Sequence, residues 1–174
     1  MKVYIVRHVE VLHNALKIYN NENEDLNDNG VKQAETLKSK IKDLEYDMII
    51  SSPLIRAKHT AEIINFKNKD ILIDNRLEER NPGDLSGQPL EVTNREEYWN
   101  YYTEIQYGTS ENIQEFFKRV YNFLDELKTK DYESVLIVAH SGVSKAFSGY
   151  FEEIQDGKFL NRGLKNCEIK MYEL

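Results

Sequence analysis

Short apolar runs alternate with stretches of helical periodicity along almost the whole chain. Val3 to Val6 is apolar, rich in β-branched residues and flanked by charge, which reads as a buried strand. Asn20 to Asn29 is polar and rich in Asn and Asp, a loop that ends at Asn29-Gly30. From Val31 the apolar positions Val31, Ala34, Leu37, Ile41 and Leu44 recur at helical spacing and predict a surface helix. Met48 to Ile50 predicts a second strand, and Ser51-Ser52-Pro53 the cap and first turn of a helix from about Leu54 to Ile64. Ile71 to Ile73 reads as a third strand, followed by a loop from Arg76 to Pro89 that carries Pro82, Gly83 and Gly87. Leu90 to Gly108 is rich in aromatics, reads as partly helical, and is the one candidate for a lid. Ile113 to Leu127 predicts a helix whose apolar face is Phe116, Val120, Phe123, Leu124 and Leu127. Val135 to Ala139 is almost wholly apolar, the mark of a central strand covered on both faces. A helix over Val143 to Phe151 and a strand over Ile169 to Tyr172 complete the pattern.

This alternation predicts an α/β fold: a single-domain three-layer sandwich over residues 1–174, with a mainly parallel sheet flanked by helices. No repeat, low-complexity tract or linker interrupts it. A chain of 174 residues buries enough surface to need no staple, and 40% hydrophobic with 30% charged residues is not a disordered composition. The formal net charge of −7 makes nucleic acid and anionic membrane poor partners. An anionic substrate would need positive charge gathered locally. Cys167 is the only cysteine, so neither an intrachain disulfide nor a cysteine metal cage can form. The first apolar run is too short for a signal sequence or a membrane span, and a cytoplasmic protein is expected.

Two histidines end predicted central strands, His8 after Val3–Val6 and His140 after Val135–Ala139. Ligand sites of open α/β sheets lie at those strand ends. Arg7 precedes His8, Arg56 opens the helix after the second strand, and Glu78, Glu79 and Arg80 follow the third. Arginine forks match phosphate oxygens, histidine can attack phosphorus, and a carboxylic acid can protonate a leaving oxygen. The residue types fit phosphoryl transfer through a phosphohistidine, with no metal or cofactor.

Val6-Arg7-His8-Val9-Glu10 with Asn14 resembles the Arg-His-Gly-Glu signature of the histidine phosphatase (phosphoglycerate mutase-like) superfamily. Leu26-Asn27 to Gly30 with Gln33-Ala34, Ser51 to Ala57 with Thr60-Ala61, Leu77 to Arg80 with Gly83 and Gly87, and Val138 to Gly142 resemble its later motifs in order. Asn166 stands where that family often has a late Asn. The resemblance implies that His8 attacks phosphorus, that Arg7, Arg56 and His140 hold the phosphoryl oxygens, and that Glu79 is the proton donor. Glu79 is chosen over Glu78 because the family's acid stands two positions after the Leu and four before the Gly. Asn14, Arg80 and Ser141 are carried over as phosphate or substrate contacts. Three positions depart from the pattern: Val9 and Ser141 replace glycines, and Val11 replaces a Ser or Thr. A β-branched residue at Val9 demands an ordinary backbone there.

His13, His59 and Cys167 read as peripheral or structural, and the aromatics Tyr98 to Tyr107 as core packing sooner than as a substrate platform. His8, Glu10 and His13 lack the spacing of a zinc helix. The expected function is hydrolysis of a small phosphorylated metabolite. The alternatives are a phosphoglycerate mutase-type phosphotransferase, which Glu79-Arg80 favours, and a non-catalytic phosphate-binding member. A homodimer stays open, since the core alone accounts for the apolar helix faces.

Overall fold

The computed structural model describes residues 1–174. Five strands form one sheet: β1 (Lys2–Arg7), β2 (Met48–Ser51), β3 (Ile71–Ile73), β4 (Ser134–Ala139) and β5 (Ile169–Glu173). Their spatial order is β3-β2-β4-β1-β5. The first four run parallel, and β5 pairs antiparallel with the outer edge of β1. The helices are α1 (Leu12–Leu16), α2 (Asp28–Lys40), α3 (Ile55–Ile64), α4 (Arg95–Tyr98), α5 (Ile113–Leu127) and α6 (Ser141–Phe151).

Successive side chains of a strand face opposite ways, and the two cores follow that period. Val3 and Ile5 of β1, with Val135, Ile137 and Ala139 of β4, pack against Phe116, Val120 and Leu124 of α5 and Val143 and Phe147 of α6. Val6 of β1, with Leu136 and Val138 of β4, packs against Ala34 and Leu37 of α2 and Ala57 and Ala61 of α3. Helices thus cover both faces, which makes the three layers. Every residue of β4 is buried, as its unbroken apolar run requires. No helix is long and apolar enough to cross a membrane.

Three helix starts differ from the sequence reading, and α6 begins at Ser141, two residues before Val143. The α2 helix begins at Asp28, inside the expected loop, because the Asn27 side chain accepts from Gly30 N at 2.7 Å and caps it. Gly30 is needed there, since a Cβ would lie 2.2 Å from the Glu10 carbonyl oxygen. The α3 helix begins at Ile55 behind Leu54, with no side-chain cap. Ser51 instead ends β2, and Ser52 is left in the site described below. Leu90 to Gly108 forms a short 3₁₀ turn, α4 and turns that pack as a wall.

Register decides what meets at the sheet's C-terminal edge. Arg7 pairs with Ala139 and Ser51 with Val138, so β1, β2 and β4 end nearly level. The next residues continue the ladder: His8 N donates to Ala139 O at 2.9 Å, and Ser52 N to Val138 O at 3.0 Å.

Candidate active site

The level strand ends bring His8 and His140 together, with ring centroids 5.1 Å apart and the ring planes inclined at 61°. His8 Nδ1 lies 2.6 Å from its neighbour's carbonyl, Val9 O. A carbonyl only accepts, so Nδ1 carries the proton and Nε2 keeps a lone pair. Nε2 has no hydrogen-bond partner and retains contact with solvent, although the residue is only 2% exposed. His140 Nε2 lies 2.7 Å from Ser52 Oγ, and its Nδ1 is buried without a partner.

Burial, and then the charges of Arg56 and Arg7, hold His8 well below the usual histidine range. Burial and Arg56 do the same to His140. Both rings are therefore neutral at pH 7. Burial also lowers the two guanidinium groups, opposed chiefly by the charge of Glu79. Arg7 gives one Nη to Leu164 O at 3.1 Å, and Arg56 one to Asn21 O at 2.7 Å. Their Nε donors are buried and unpaired. Four of the chain's seven orphaned buried polar atoms, on Arg7, Arg56, His140 and Trp99, cluster here. Buried polar groups are normally bonded, so such a cluster of donors awaits an acceptor.

Glu79 faces this group from the loop after β3. One carboxylate oxygen accepts from Gly142 N at 3.0 Å, at the start of α6, and the other from Arg80 N at 2.9 Å. The fit at Gly142 is tight: an added Cβ would sit 2.0 Å from Glu79 Oε1. Asn14 joins indirectly. Its Oδ1 accepts from Asn166 Nδ2 at 3.3 Å, and Asn166 Nδ2 also donates to His8 O at 2.8 Å. Arg80 is turned toward the wall. Its Nε donates to Glu111 O, its Nη1 to Tyr98 O, and its guanidinium stacks 4.0 Å from the Tyr98 ring centre. Ser141 accepts from Lys145 Nζ at 3.3 Å. Arg7, Asn14, Arg56, Glu79, Arg80 and Ser141 all line one open cavity of about 620 Å³, a size suited to a small molecule.

A sequence profile of the histidine phosphatase superfamily (branch 1) matches residues 3–174. The chain belongs to that superfamily. It is 34% identical to the uncharacterized phosphatase PhoE of Bacillus subtilis over 83% of this chain and 75% of that one. It is 30% identical to the adenosylcobalamin/alpha-ribazole phosphatase of Salmonella typhimurium, over 82% of this chain and 75% of that one. The alpha-ribazole phosphatase structure from Shigella flexneri superposes with a TM-score of 0.86 at 23% identity, covering 100% of this chain and 91% of the other, which shows the shared fold. The chain is thus a histidine phosphatase-type phosphoric monoester hydrolase.

Within this histidine phosphatase, His13 pairs with Glu24 at 3.4 Å and lines the cavity, whereas His59 pairs with Asp25 away from it. Glu10 is turned outward, accepting from Asn27 and Asn29 at 3.0 Å. Several contributors were not foreseen. Ser52 holds His140. Trp99 and Lys145 line the cavity. Arg119, on α5, donates to the carbonyls of Arg76, Glu78 and Glu79 at 2.7, 2.9 and 3.1 Å and pairs with Glu111 at 2.7 Å. Two of them left a trace in the sequence: Trp99 stands in the aromatic cluster Tyr98 to Tyr107, and Lys145 is the lone charge in the helix that follows His140. The others depend on contacts between distant segments.

Proposed function

We propose that the chain hydrolyses a small phosphate monoester through a phosphohistidine on His8. The observation that carries this reading is the His8 ring: Nδ1 tied to Val9 O, Nε2 unencumbered, and the ring held neutral by burial between two arginines with unpaired donors. Nε2 attacks phosphorus as the bond to the leaving oxygen breaks, and Glu79 gives that oxygen a proton. Arg7, Arg56 and His140 Nδ1 hold the three phosphoryl oxygens, where preorganised donors stabilise the transferring group. Water then attacks phosphorus and gives a proton back to Glu79 as the nitrogen–phosphorus bond breaks. The products are alcohol, inorganic phosphate and the resting His8. Asn14 and Asn166 fix the backbone under His8.

The phosphotransferase alternative drew on Arg80 beside the acid. Arg80 here braces Tyr98 and the Glu111 backbone, which favours hydrolysis. The test is inorganic phosphate release from a panel of small monoesters in the presence of EDTA, with wild type run beside His8→Ala. Turnover that survives EDTA and is lost in the variant is expected. Equal release by the two proteins would overturn the role given to His8.

A further inference from the structure

One wall of the cavity carries a cation that phosphoryl transfer does not require. Lys145, on the buried face of α6, is 4% exposed yet lines the cavity. No acidic side chain pairs with it. Its Nζ has one weak partner, Ser141 Oγ at 3.3 Å, and sits 4.9 Å from the Trp99 ring centre. Trp99 Nε1 is itself buried without a partner. A buried ammonium without an anion is unfavourable, and chains keep one where a ligand supplies the missing charge. The charged groups around it are Glu79 from the loop after β3, Arg7 from β1 and Arg95 from α4. Glu79 is held by two backbone N–H groups and is not within pairing distance of Lys145.

We infer that Lys145, with Ser141 Oγ beside it, forms a second anionic subsite that binds a carboxylate on the leaving group. The preferred substrates are therefore phosphorylated hydroxy or amino acids. A single ammonium with one hydroxyl offers few donors, which suits a monoanionic carboxylate. The arginine forks suit the phosphoryl dianion. The serine hydroxyl, which now accepts from Lys145, turns to donate to the guest. Trp99 covers the lysine and lowers the local dielectric, which strengthens the pairing.

This inference rests on the hydrolase reading above, and one substrate pair separates the two. 3-Phosphoglycerate and glycerol 3-phosphate differ only in a carboxylate against a hydroxymethyl group. Wild type should favour the acid in kcat/KM by roughly tenfold or more, as expected for a charge-assisted hydrogen bond. In Lys145→Met the ratio should fall to near one, chiefly through a higher KM for the acid. Lys145→Gln, which keeps a polar tip, guards against a folding defect and should give the same ratio. No preference in wild type, or an unchanged preference in both variants, overturns the subsite. Equal losses on both esters would reassign Lys145 to the phosphoryl end and also overturn it. Should wild type hydrolyse neither of these two esters, the hydrolase reading is judged separately, on the wider panel of monoesters. The subsite is then judged by calorimetric affinity of His8→Ala for the two esters, with and without Lys145→Met: a preference for the acid that disappears in the double variant upholds it, and equal affinities overturn it.

Discussion

Lys145 bears on stability as well as on binding. Burial pushes its ammonium down from 10.5 to about 8. Between those values the unfolded chain holds a proton that the folded chain has shed. Stability therefore rises with pH across that window, and the full penalty is present below pH 8. A shift of about 2.5 units at about 1.36 kcal/mol each is on the order of 3 kcal/mol. Lys145→Met should be more stable than wild type at pH 7 by about that much, or roughly 5–10 °C in Tm for a domain of this size. The gap should close between pH 8 and 10.5. Urea titrations at pH 7 and 10 test it, and a variant less stable than wild type at pH 7 would contradict it. Single residues were unevenly legible. His8, Arg56, Glu79 and His140 could be located because each follows a strand read from its apolar run. Val9 raised a question of backbone that the structure answers: its φ is not positive, and its side chain is buried among Ala57 and Ala61 while its N–H donates to Thr60 Oγ1. The work of Arg80 and Lys145 depends on which neighbours surround them, and local sequence does not carry that.

Among the elements, the strands and α5 were read within a residue or two, since their apolar periodicity is set by the faces they bury. Cap positions were not, because Asn27 sits in a polar run and Ser52 is drawn away by His140. The least legible element is the loop that carries Glu79. It is braced by Arg119 of α5, which binds three of its carbonyls, and by Glu111 just before α5, which accepts from Asn81 N at 3.1 Å. Arg119 does not line the cavity, and we propose that it is a positioning residue for Glu79. Lys in its place keeps the charge but loses the rigid fork. Arg119→Lys should lower kcat by roughly tenfold or more with little change in KM, since a misplacement of about 1 Å can cost as much as 10²-fold. The loss should be large for alkyl phosphates, whose leaving oxygen needs a proton, and small for p-nitrophenyl phosphate, whose leaving group does not. A plain folding defect would lower both alike, and that result would remove the positioning role.

Across the whole molecule, an acidic chain gathers Arg7, Arg56 and Lys145 at the C-terminal edge of its sheet and buries two neutral histidines among them. Residues scattered from 7 to 145 meet there because parallel strands bring their C-terminal ends to one edge. That much was legible once the strands were found, and their order was not. Keeping His8 neutral has a consequence for the entire fold. Both folded-state histidine pKa values lie well below the ordinary 6.5. As pH falls through 6.5 the unfolded chain takes up two protons that the native chain refuses, so stability is present above 6.5 and declines below it. Each histidine contributes up to about 1.36 kcal/mol per pH unit, and the pair up to about 2.7. Two pH units then remove a large part of the roughly 5–15 kcal/mol that typically separates folded from unfolded protein. Carboxylates held below their ordinary values of 4.5 and 3.8 by their partners, such as Glu10 and Asp74, begin to cost stability only as pH falls through those ordinary values, so the histidines dominate from 6.5 to 5. Urea denaturation at pH 7.5, 6.5 and 5.5 should show this decline, and the double variant His8→Asn/His140→Asn should flatten it. An equally steep decline in that variant would mean that the acid sensitivity lies outside the site.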